Sequence, residues 1–70
     1  AEERAARKTL ARLDKRLERI AEREAELNVL VLEHASDHQR LAEISAELGE
    51  LSAEKDEVEM EWLEAAEALE

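Results

Sequence analysis

The chain has 70 residues, with 20 acidic against 10 basic side chains for a net charge of −10, no cysteine, no proline and a single glycine. So short a chain holds one small domain. Without cysteine it has no disulfides, thiol chemistry or thiolate metal sites, and its longest apolar run, Val29-Leu30-Val31-Leu32, is far too short to cross a membrane.

A first helix is expected over about residues 2–34. Its apolar residues recur at alternating three- and four-residue spacing: Leu10, Leu13, Leu17, Ile20, a polar step at Glu24, then Leu27 and Val31. A mean spacing of about 3.5 residues keeps such a set on one stripe that drifts slowly enough to be buried along its length. The interruption comes at about residues 35–37, where Ser36 and Asp37 are both N-cap candidates. Ser36-x-x-Gln39 fits a capping box, and Asp37 offers a carboxylate to the first free amides of the next helix.

A second helix is expected over about residues 38–69. Its stripe reads Leu41, Ile44, Leu48, Leu51, a polar step at Lys55, then Val58, Trp62, Ala65 and Leu69. Gly49 falls on the outward side and reads as a tolerated surface glycine that costs about 1 kcal/mol against alanine. The fold class is therefore all-α, a two-helix antiparallel coiled-coil hairpin. The charged, helical N-terminus lacks the pattern of a signal peptide, and the start at Ala1 leads us to expect an excised piece of a longer, cytoplasmic protein.

Charge supports the antiparallel arrangement. Eight basic residues lie between Arg4 and Arg23 against three acids, whereas eleven acids lie between Leu41 and Glu70 against Lys55 alone. Folding at residue 36 sets the basic start of helix 1 beside the acidic end of helix 2. With Leu10 and Leu41 at heptad position a, the flanking g positions face each other. Arg16–Glu61 with Arg23–Glu54 is one register; Arg16–Glu54 with Arg23–Glu47, one heptad tighter, is the other. Charge does not choose between them. Trp62 would then lie opposite Leu13 or opposite Ala6.

Several residue groups invite a functional reading. Glu24 and Lys55 at core a positions read as solvated breaks whose charges reach outward, the alternative being a specificity or partner contact. His34, Asp37 and His38 fall short of the three or four convergent ligands of a zinc site and read as tip and cap residues. Nothing resembles a catalytic triad or dyad in a dry pocket, so no catalytic, cofactor or metal residue is assigned and no enzyme is expected. Arg4, Lys8, Arg12, Lys15 and Arg19 form an outward basic row that invites contact with nucleic acid or another partner. The acidic partner helix and the lack of interleaved aromatics oppose strong binding. Val29 and Leu32 exceed what one seam needs; the expectation is that the loop folds over them, and the alternative is a sticky tip.

At the second helix a family pattern emerges. Asp37-x-x-x-Leu41-x-x-Ile44-x-x-x-Leu48-x-x-Leu51-x-x-Glu54, followed by Glu59-x-Glu61-Trp62-Leu63-Glu64, resembles the C-terminal coiled-coil extension of ABC-F ATPases. So does the preceding run through Leu13, Leu17 and Ile20. The resemblance covers nearly the whole chain, and the Asp37 cap and the Trp62-Leu63-Glu64 ending are its distinctive parts. It implies a parent with two ATP-binding cassettes, ATP and magnesium being bound there and not in this segment. It further implies a role in translation, with other domains of the parent, and weakly the ribosome or nucleic acid, as partners. The acidic balance and His38, where a proline often follows the aspartate, depart from relatives with basic hairpins. A generic dimerising coiled coil stays open as the alternative, as does a homodimer.

Overall fold

A computed structural model describes residues 2–69. It is all-α: helix α1 spans Glu2–Glu33 and helix α2 spans His38–Glu67. The two pack antiparallel into a rod 54 Å long and about 15 by 13 Å across, so its thickness is that of two helices. Ala, Glu, Leu, Lys and Arg, which lose little side-chain freedom in a helix, supply most of both segments.

The turn is made without glycine or proline, and no residue in it takes a positive φ. The His34 N–H donates to the Leu30 carbonyl and the Asp37 N–H to the His34 carbonyl, both at 2.9 Å, which closes α1 tightly. Asp37 then swings into extended backbone (φ −104°, ψ 95°), and its carboxylate accepts the Arg40 N–H at 3.0 Å. That satisfies one of the donors that a helix start leaves free. Asp37 is thus the cap of α2. Ser36 is not: it lies within the turn, one residue too early for its hydroxyl to serve a helix whose first residue is His38.

The seam is asymmetric. Ala6, Leu13, Ile20 and Leu27 of α1 and Ile44 and Val58 of α2 are buried, and all of them are d residues. The a residues Leu10, Leu17, Val31, Leu41, Leu48 and Trp62 are only half-buried, as is Leu51 at a d position, although the sequence reading placed all of them in the seam. The physical reason is what flanks each row. Beside the d residues run long g side chains, Arg16 and Arg23 facing Glu47 and Glu54; beside the a residues run e positions that include Ala21, Asn28, Ser45 and Ser52.

Leu69 is a clear departure. It lies beyond α2, its N–H bonded to the Ala66 carbonyl at 3.0 Å, and is 37% exposed. The register carries its level past Glu2, the first residue of α1, so no described residue of α1 stands opposite it. Ala6 makes the opposite case. It is 7% exposed and belongs to the core, one heptad before Leu13.

Candidate interaction surfaces

Cross-helix charge pairs fix the register. Arg16 donates to Glu54 at 3.0 Å, and Arg23 grips Glu47 through Nε and Nη2 at 2.5 and 3.0 Å. This is the tighter of the two g-to-g registers. Arg23 also reaches Glu26 at 2.9 Å. The hydrogen bonds that Arg23 donates to Glu47 and then to Glu26 raise its guanidinium above its already high value, and the same bond from Arg23 holds the Glu47 carboxyl below the ordinary carboxylate value. A planar guanidinium gripping one carboxylate through two N–H groups aligns the helices more strictly than a point charge would.

In this register Trp62 belongs to the layer of Ala6 and packs against the cluster of Leu13, Ile20 and Val58. It is half-buried, and its indole N–H donates to Asp14 Oδ1 at 2.8 Å. A large ring beside a small alanine fills the seam, while the polar edge of the indole stays at the rim where a carboxylate meets it.

The basic row lies where the heptad places it. Arg4, Lys8, Arg12, Lys15 and Arg19 are all exposed, and none takes part in an ion pair among the described residues. A shallow hollow of about 370 Å³ lies between Ala5, Lys8, Thr9 and Arg12. Across the rod, α2 presents glutamates at every c position, and an open groove of about 530 Å³ runs between Glu43, Glu47, Glu50 and Glu54 over Ala46 and Leu51. The N-terminal half of α1 is therefore predominantly basic on its outer side, and α2 is acidic at its c positions.

The tip is bare. Val29 is 54% and Leu32 79% exposed, so the loop does not fold over them. At the other end Met60 and Leu63 of α2 are 65% and 58% exposed. Sequence reasoning did not single out this second pair; its signal was the apolar residue type at the outward f and b positions. Glu24 is half-buried and Lys55 exposed, and neither has an ion-pair partner among the described residues. His34 is half-buried and His38 exposed, and no three metal-ligating side chains converge among the described residues. Among the described residues, no helix is long and apolar enough to cross a membrane. Comparison with family models, curated proteins and solved structures gives no match to this chain.

Proposed function

We propose that this chain is a non-catalytic interaction module, the C-terminal coiled-coil hairpin of an ABC-F-type ATPase. In this reading it works in the cytoplasm and modulates how its parent meets ribosome, nucleic acid or protein. The observation that carries the reading is the placement of the two residues on which the resemblance turns. Asp37 caps α2, and Trp62 locks the open end of the seam to Asp14. A rod two helices thick offers extended faces to partners and has little depth for a dry catalytic pocket.

The coding sequence upstream of Ala1 tests this directly. A Walker A motif and an ABC signature should lie there, and the parent should co-sediment with ribosomes differently once residues 1–70 are deleted. An upstream sequence without nucleotide-binding motifs would overturn the assignment.

A second reading, direct nucleic-acid binding, draws on the exposed row of Arg4, Lys8, Arg12, Lys15 and Arg19, none of which forms an ion pair among the described residues. The neighbouring acids of α2 lower the local potential, so counterion release should reward phosphate contact only weakly. Fluorescence anisotropy with a labelled duplex should show weak binding near physiological salt. Sub-micromolar affinity with a steep salt slope, lost on Arg12→Ala and Arg19→Ala, would make this the primary function.

A further inference from the structure

The half-buried a row leaves one side of the hairpin open along its length. Leu10, Leu17, Val31, Leu41, Leu48 and Trp62 all show part of their apolar surface there, edged by the small residues Ala21, Ser45, Gly49 and Ser52. Around Gly49 there is open space, with nothing within 4 Å of where a Cβ would stand. On the opposite side the Arg16–Glu54 and Arg23–Glu47 bridges flank the d row, where Leu13, Ile20, Leu27, Ile44 and Val58 are buried and Leu51 is half-buried beneath the glutamate groove. The half-buried a row is the apolar face that a second layer of helices would cover.

Two charges interrupt this face, and their positions say what the second layer is. Residue numbers of cross-helix partners add to 70, so Lys55 lies level with residue 15 of α1, while Glu24 lies nine residues further toward the tip. The point midway between these levels falls between Arg19 and Ile20, close to the middle of the rod. A two-fold axis lying across the rod at that point, parallel to the plane of the open face, would set a second copy against the face with its tip reversed. Glu24 of each copy then comes level with Lys55 of the other. Stacking two copies with their tips together would instead place Lys55 on Lys55 and Glu24 on Glu24, both repulsive.

The remaining polar residues of the face obey the same axis. With tips opposed, Asp14 comes level with Ala25, Glu18 with Ala21, Asp56 with Ser45, Glu59 with Ala42 and Gly49 with Ser52. Every acid meets a small uncharged residue and none meets another acid. We propose that the chain forms an isologous, tip-to-tail dimer through this face, the a rows closing into a four-helix core and Glu24 pairing reciprocally with Lys55 of the second copy. This holds whatever parent the hairpin comes from.

Sedimentation equilibrium of the 70-residue chain tests it, with circular dichroism at the same concentrations as a check of helicity. The expected species has twice the 8.0 kDa monomer mass, with a Kd on the order of 100 μM or tighter. Raising salt above about 0.15 M should strengthen it, because each copy carries a charge of −10. Glu24→Lys or Lys55→Glu alone should weaken the dimer by about tenfold or more. The double swap Glu24→Lys with Lys55→Glu should restore it, since it re-creates both pairs in reverse. A chain that stays monomeric and helical at millimolar concentration overturns the proposal. So does a dimer whose affinity ignores both single substitutions, or one that the double swap fails to rescue.

Discussion

The indole N–H of Trp62 donates to the Asp14 carboxylate at 2.8 Å across the open end of the hairpin, 48 residues away in sequence. The bond ties the last full turns of α2 to the basic half of α1, near the level of buried Ala6. Two kinds of attachment therefore act through one side chain: ring packing against the Leu13–Ile20–Val58 cluster and a polar contact at the rim.

They separate by mutation. Asp14→Ala removes only the acceptor and should lower stability by about 0.5–1 kcal/mol, because the freed N–H reaches water. Trp62→Ala also removes the ring and should cost about 3 kcal/mol. Urea titrations followed at 222 nm give both values. Because Trp62 is half-buried, its emission should lie between buried and free indole, with partial quenching by iodide.

The buried core offers a second measurement. Leu13 is 0% exposed and Leu27 and Val58 are each 1%, the tightest points of the seam. Leu13→Ala should cost about 3 kcal/mol, a large share of the stability of a 70-residue hairpin. The same substitution at half-buried Leu10 should cost visibly less, in proportion to the smaller area it keeps from water. Equal losses at the two sites would contradict the asymmetry between d and a rows.

Acid should act on the Arg23–Glu47 pair in a definite direction. The Glu47 carboxyl is held below its ordinary value of 4.5 by the hydrogen bond from Arg23. Its contribution is therefore fully present above about pH 4.5 and is lost as pH falls through the lowered value. Melting temperatures of the wild type and Glu47→Gln should differ by a constant amount near neutrality, and the gap should close in acid. Protonation of the other acids relieves repulsion in both chains alike and cancels in the comparison.

Local helix chemistry makes two further tests. Gly49→Ala meets open space and should raise stability by about 0.5–1 kcal/mol through helix propensity alone. Asp37→Ala removes the acceptor for the Arg40 N–H and should cost about 1 kcal/mol. Ser36→Ala, in the turn, should cost much less. Thermal melts of the three variants decide the order.

What the sequence determined by itself was local and periodic. Heptad spacing is a property of one helix, so Leu13, Ile20, Leu27, Ile44 and Val58 could be placed on buried stripes before any partner was known. The break near residue 36 and a carboxylate available for capping were legible for the same reason: both depend on a few neighbouring residues. Three features needed the tertiary structure. The register was open because a shift of one heptad keeps every stripe facing a stripe and every g arginine facing a glutamate; the Arg16–Glu54 and Arg23–Glu47 pairs of the folded hairpin separate the two arrangements. The inequality of the a and d rows was hidden because burial depends on what two helices jointly cover, which the size of the e and g side chains controls across the interface. Leu69 kept its periodic place in the sequence and lost its seam, because the length of overlap between helices is a property of the pair.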